Sequence, residues 1–145
     1  MIAYIGAGAN TGDRRGNIEQ AKDLLEKGGI RVVRMSPLYE TEAECRPGQR
    51  MPPFLNGVLE LETDLDPMGL LERLEAVERA MGRYHKGTWQ PRAIDLDILF
   101  YGDLVMETER LKIPHPEAAK RWFVLKPLSD LAPDLVHPVL GKKVH

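Results

Sequence analysis

The sequence predicts an α+β fold of the ferredoxin-like kind, a mainly antiparallel sheet with helices packed on it, in a single domain over residues 1–145. Three observations carry this reading. Apolar, β-prone runs alternate with two stretches of helical periodicity, in the order β-α-β, loop, β-α, loop, β. Some of the strand connections look hairpin-like. A chain of 145 residues is also long enough to bury roughly two thirds of its unfolded surface without disulfide or metal staples.

Residues 2–7 form a short apolar run ended by Gly6 and Gly8, read as a first strand leading into a loop. Residues 14–27 carry Ile18, Ala21, Leu24 and Leu25 at helical spacing and close on Gly28-Gly29. Ile30 to Ser36 is a β-branched strand, and Pro37 to Pro53 gathers Pro, Gly, Glu and Arg without periodicity, which predicts a long, mobile loop. Phe54 to Thr63 alternates, with Leu55, Gly57, Leu59 and Leu61 set against Asn56, Val58, Glu60 and Glu62. Asp66-Pro67 supplies an N-cap and a first-turn proline for a second helix, whose stripe is Leu70, Leu71, Leu74, Val77 and Met81 and whose stop is Gly82. The basic loop 83–92 feeds the next strand. The proline-rich tail 110–145 reads as an ordered wrap of short elements anchored by Leu125, Leu128, Leu131 and Leu135.

Net charge is −2 and the pI about 6.1, so binding to nucleic acid or anionic membrane has no global electrostatic support. Any positive field must be local. The lone Cys45 excludes an internal disulfide and a thiolate metal site, which suits a reducing cytosol. No run approaches the length of a membrane span and no leader precedes Tyr4, so a cytoplasmic monomer is expected.

The segment Trp89-Gln90-Pro91-Arg92-Ala93-Ile94-Asp95-Leu96-Asp97 carries the chemistry. Asp95 and Asp97 alternate with Ile94, Leu96, Ile98 and Phe100, so the aliphatic residues face a core and both carboxylates share the other surface. Their Cα atoms would be roughly 6.6 Å apart, from which the carboxylates can converge on ions about 3.5–4 Å apart. A solvated polar strand face is the plainer reading. Against it, Asp is depleted from strands, and Trp89, Pro91 and Arg92 add an aromatic surface, a rigid φ and a bidentate phosphate donor.

Arg83, His85, Lys86 and Arg92 crowd the loop before those acids, either as a solvated basic loop or as a polyphosphate clamp opposite bound metal. Pro114-His115-Pro116 holds an imidazole between restricted residues, with Arg110 and Arg121 nearby. Phe54 and Asn56 lie two apart on a strand, an arrangement that suits a flat heterocycle. Gly6-Ala7-Gly8 lacks the third glycine of a dinucleotide fingerprint and is assigned to turn structure; a P-loop sequence is absent. The four histidines lack zinc-ligand spacing.

The motifs Trp89-x-Pro91-Arg92-x-x-Asp95-Leu96-Asp97-Ile98-Leu99, Pro114-His115-Pro116, Phe54-Leu55-Asn56, Glu78-x-x-x-Gly82-Arg83 and Arg121-x-Phe123-Val124-Leu125-x-Pro127-Leu128 resemble those of the 6-hydroxymethyl-7,8-dihydropterin pyrophosphokinases of folate biosynthesis. The resemblance runs from Tyr4 to about Pro138. It implies transfer of the β,γ-diphosphate of MgATP to the pterin hydroxymethyl group, with release of AMP. It further implies that Asp95 and Asp97 hold two Mg²⁺ ions, and that Arg83, His85 and Arg92 serve catalysis. Glu78, Arg92, Ile98, Arg110, Lys112, His115 and Arg121 would bind ATP; Phe54, Asn56, Trp89 and Phe123, with backbone groups near Thr41, would hold the pterin.

The chain departs from that pattern. Ala9 stands for a common serine, Glu42-Ala43-Glu44-Cys45 for a segment with proline and glycine, Ala93 for a threonine, Gln90 for a glycine and His85 for an arginine. Gln90 and His85 bear on catalysis: a mostly neutral His85 predicts a slower chemical step or a rate that falls as it deprotonates, which His85→Arg tests. A non-catalytic pterin- or nucleotide-binding module is the alternative. A single-stranded RNA reader on the same fold lacks paired central aromatics and a basic surface.

Overall fold

The computed structural model describes residues 1–42, 52–82 and 93–144. Its elements are β1 (Ile2–Ala9), α1 (Arg14–Lys27), β2 (Arg31–Met35), β3 (Tyr39–Thr41), β4 (Phe54–Glu62), α2 (Pro67–Ala80), β5 (Asp95–Tyr101), β6 (Met106–Glu107), β7 (Lys112–Ile113) and α3 (Trp122–Leu131). The main sheet runs β2-β4-β1-β5, and each of those neighbouring pairs is antiparallel. This is the split βαβ arrangement expected of a ferredoxin-like fold.

The two long helices form where their stripes and caps direct. Asp13 accepts the Gly16 amide at 3.0 Å to start α1, and Gly29 ends it at φ +88°, a conformation without steric cost only for glycine. Asp66 accepts the Gly69 amide at 2.7 Å to start α2, with Pro67 in its first turn. Ile18, Ala21 and Leu25 of α1 and Leu70, Leu71, Leu74 and Val77 of α2 pack with Ala3, Ile5, Leu59, Leu61, Leu96 and Ile98 on one face of the sheet. A fully buried leucine such as Leu74 contributes about 1.5–3 kcal/mol by leaving water.

Among the described residues, the other face is covered at one end. Tyr4, Val58, Leu99 and Phe100 pack there against Ala118, Leu128 and Leu131 of α3 and the turn before it. The described residues leave a cavity on the remainder of that face.

Four features depart from the sequence reading. First, β1 does not stop at Ala7; it continues through Gly6 and Gly8 to Ala9, so these glycines sit in a strand and not in a turn. Second, the supposed loop contains β3, which continues the β2 edge of β4. The interruption is bridged by Ser36, whose amide donates to the Val58 carbonyl at 2.9 Å and whose hydroxyl accepts the Val58 amide at 2.8 Å. Third, β5 carries an extra residue: Tyr4 opposes Phe100 and Ile5 opposes Ile98, leaving Leu99 as a bulge. Phe100 is thereby turned to the α3 face, away from Leu96 and Ile98. Fourth, α3 is a helix of 10 residues despite Pro127 inside it, because Pro127, Leu128 and Leu131 are all buried against the sheet. No helix among the described residues is long and apolar enough to cross a membrane.

Candidate active site

In β5, Asp95 faces Gly8 and Asp97 faces Gly6 across the β1 ladder. The neighbours opposite both acids therefore have no side chains, and the open sheet face becomes the floor of a cavity of ≈ 320 Å³. An interior strand glycine marks a close approach of ligand or backbone, and here the close approach is required at Gly8: a Cβ there would stand 3.1 Å from Asn56 Oδ1 and 3.5 Å from Phe54 Cδ1.

The cavity brings together Thr41, Phe54, Asn56, Asp95, Asp97, His115, Arg121 and Phe123 of the residues singled out in the sequence. Its outer wall is held by β3 docked on α3. The Tyr39 hydroxyl donates to Asp130, and the Tyr39 ring meets Trp122 edge-on at 6.4 Å. That hydrogen bond is the main cause raising the phenol pKa, and it holds the Asp130 carboxyl below its ordinary value. Arg121 lies with its guanidinium carbon 5.6 Å from the Phe123 ring centroid and its Nε 3.9 Å from Glu117.

A second cavity of ≈ 250 Å³ lies beside the first and holds Ile98, Arg110 and Lys112. Asp97 and His115 line both cavities and so mark their junction. Arg110 pairs with Glu75 of α2 and stands 3.9 Å from Glu72, and Lys112 is 3.8 Å from Glu107. These pairs are half-exposed, where such contacts are worth about 0–1 kcal/mol, so either cation can exchange a carboxylate for a phosphate at small cost.

His115 is held by backbone on two sides. Its amide donates to the Leu99 carbonyl at 3.0 Å, and its Nδ1 accepts the Glu117 amide at 3.1 Å. The proton of the neutral ring therefore sits on Nε2, which makes that edge a donor.

Glu78 lines neither cavity. It is buried on α2, and its Oε2 accepts the amide of Leu96, the residue between the two aspartates, at 2.9 Å. The structure thus places it behind the acidic strand and not on the nucleotide side that the resemblance implied. Arg83, His85, Trp89 and Arg92 lie outside the described residues. Sequence reasoning missed Gly6 and Gly8 as the cavity floor, Leu99 as the anchor of His115, and Glu75 as the partner of Arg110. The signal for the glycines was their place in an apolar β-prone run.

The described residues contain no group of three or more His, Cys, Asp or Glu side chains able to hold a metal. Asp95 and Asp97 supply two carboxylates, hard oxygen donors, opposite the glycines of the floor. That set fits Mg²⁺, which keeps several waters or phosphate oxygens and takes one or two carboxylates from the protein.

Comparison with known proteins gives the family. The family model for 7,8-dihydro-6-hydroxymethylpterin-pyrophosphokinase matches residues 4–133. The folic acid synthesis protein fol1 of Schizosaccharomyces pombe is 49% identical over 138 residues, covering 94% of this chain and 19% of that protein. The 2-amino-4-hydroxy-6-hydroxymethyldihydropteridine pyrophosphokinase of Pseudomonas aeruginosa is 43% identical over 136 residues, covering 93% of this chain and 83% of that protein. The chain thus spans about a fifth of the length of the fungal relatives and most of the bacterial one. Among solved structures, an HPPK-DHPS in complex with substrates superposes with a TM-score of 0.74 at 16% identity, over 99% of this chain and 42% of that one, a likeness of fold. With a family model matched along nearly its whole length and relatives of this identity, the chain belongs to the 7,8-dihydro-6-hydroxymethylpterin-pyrophosphokinase family.

Proposed function

We propose that this chain transfers the β,γ-diphosphate of MgATP to the hydroxymethyl group of 6-hydroxymethyl-7,8-dihydropterin, giving the pterin diphosphate and AMP in folate biosynthesis. The observation that carries the reading is the pair of adjoining cavities that share Asp97 and His115. One is walled by Phe54, Asn56 and Phe123 and suits a flat, polar-edged heterocycle; the other carries Arg110 and Lys112 and suits a polyanion. Substrates seated on either side would meet at the acids.

In the reaction, the hydroxymethyl oxygen attacks the β-phosphorus, the bond between the β-phosphorus and the bridging oxygen to the α-phosphate breaks, and the hydroxyl proton is lost to solvent. Phosphoryl-type transfer of this kind needs alignment and charge neutralisation more than a covalent nucleophile. Asp95 and Asp97 would hold two Mg²⁺ ions, which when bound neutralise phosphate charge and lower the pKa of the attacking hydroxyl. His115 would donate from Nε2 to a phosphate oxygen, and Arg121 would pair with another. Arg83, His85 and Arg92 are proposed to complete the clamp, Trp89 the pterin stack, and Ile98 the nucleotide wall. Glu78 serves the same site by holding the acidic strand.

We read residues 1–145 as one domain that acts on small molecules as a cytoplasmic monomer without a nucleic-acid partner; the acidic net charge of −2 supports the last point. The test is nucleotide product analysis with both substrates present. AMP that appears only when the pterin is added supports the reading, and ADP as the sole nucleotide product rejects it. Magnesium-dependent ATP binding with no product would support the binding-module alternative.

A further inference from the structure

We propose that Thr41 is a positioning residue, whose hydroxyl fixes the amide of Asn56 so that its oxygen faces the cavity as an acceptor for a ring N–H of the substrate. The inference rests on the functional reading above and names a determinant of its pterin side.

Asn56 lies on β4 between two strands, with Tyr39 of β3 on one side and Gly8 of β1 on the other. On the β3 side its Nδ2 is 2.8 Å from Thr41 Oγ1 and 3.5 Å from the Tyr39 carbonyl oxygen. A backbone carbonyl only accepts, so the end of the amide turned toward Tyr39 must be the nitrogen. Thr41 Oγ1 then acts as the acceptor of the short bond. The opposite end, Oδ1, lies over Gly8, where even a methyl group would come within 3.1 Å. Turning the amide over would set its oxygen against the Tyr39 carbonyl, two acceptors face to face, and would offer the cavity a donor instead.

The Tyr39 carbonyl selects which end of the amide turns toward β3 but lies at the limit of a hydrogen bond, so it is the 2.8 Å bond to Thr41 that holds the amide in that orientation. Without its hydroxyl the amide can swing, and a heterocycle whose edge donates would find its acceptor only part of the time. β3 itself stays docked through Tyr39 and Asp130, which separates the orientation of Asn56 from the placement of the strand.

Thr41→Val keeps the shape and removes the acceptor; Thr41→Ser restores it. Binding of 6-hydroxymethyl-7,8-dihydropterin is measured by ligand fluorescence on the full chain, beside steady-state kinetics and thermal melts. The expected result for Thr41→Val is a Kd and pterin KM raised about tenfold, with kcat, the KM for ATP and the melting temperature near wild type, and with Thr41→Ser close to wild type throughout. Wild-type pterin affinity in Thr41→Val, or a loss in every parameter that Thr41→Ser does not rescue, overturns the inference while wild-type AMP release leaves the functional reading intact. A wild type that neither binds the pterin nor releases AMP overturns that reading, and this inference with it.

Discussion

The amide of His115 donates to the carbonyl of Leu99 at 3.0 Å, and Leu99 is the residue that β5 carries in excess of β1. The bulge leaves that residue without a partner opposite it in β1 and so sets an anchor for the Pro114-His115-Pro116 turn two residues beyond Asp97. A single irregularity in the ladder thus places the imidazole where the two cavities join.

Replacing His115 by Ala should lower kcat/KM for ATP by about 10²-fold, the usual effect of losing one donor aimed at developing charge. The bond from the His115 amide to the Leu99 carbonyl survives the change, while the partly buried Glu117 amide loses its Nδ1 acceptor at a cost of about 0.5–1.5 kcal/mol, so the melting temperature should fall by only a few degrees. Steady-state kinetics with a parallel thermal melt checks both parts.

The two floor glycines should respond differently to alanine. In Gly8→Ala the new methyl would press on Asn56 Oδ1 at 3.1 Å, and the pterin KM should rise about tenfold. In Gly6→Ala it meets Leu99 at 3.5 Å or more, an ordinary contact, and the pterin KM should stay close to wild type. A pterin KM that stays at the wild-type value in Gly8→Ala would show that the cavity floor is not as tight at Gly8 as the structure has it.

Glu78→Ala leaves the buried Leu96 amide without its carboxylate acceptor, which should destabilise the fold by about 1–3 kcal/mol. Glu78→Gln keeps an acceptor oxygen and should cost less. Urea denaturation of the two variants, read with their metal affinity, separates loss of the strand's support from loss of a ligand contact.

Alkaline pH should weaken the fold through Tyr4. Burial first, and then the charge of Glu60 beside it, push the Tyr4 phenol from 10.0 up to about 12. The unfolded chain ionises at the lower value, so it holds fewer protons than the folded chain between pH 10 and 12, and stability present below pH 10 is lost across that window. Tyr4→Phe should remove that part of the slope, as measured by urea melts over the same range.

The main strands were legible from their apolar, β-prone runs, and α1 and α2 from a clean helical period with a glycine stop, Gly28-Gly29 and Gly82, with Asp66-Pro67 marking the start of α2; Asp13, which caps α1, was not read from the sequence. The acidic pair was legible because carboxylates two apart in a β-prone run share a face. What escaped the sequence depends on tertiary partners. β3 has only three residues and is a strand because β4 offers it an edge. α3 forms through a proline because its apolar face is buried on the sheet. Gly6 and Gly8 gave a turn signal, yet each lies in a strand where a side chain would fill the floor beneath Asp97 and Asp95. Glu78 carried a family signal but no local cue that its carboxylate turns inward to the Leu96 amide.

The most direct test of the account is a titration of Mn²⁺, as a spectroscopic stand-in for Mg²⁺, into the protein with a non-hydrolysable ATP analogue, for wild type, Asp95→Asn and Asp97→Asn. The account predicts two ions bound by the wild-type complex and at least about a tenfold loss of affinity in either variant. Undiminished Mn²⁺ binding in both variants would contradict it.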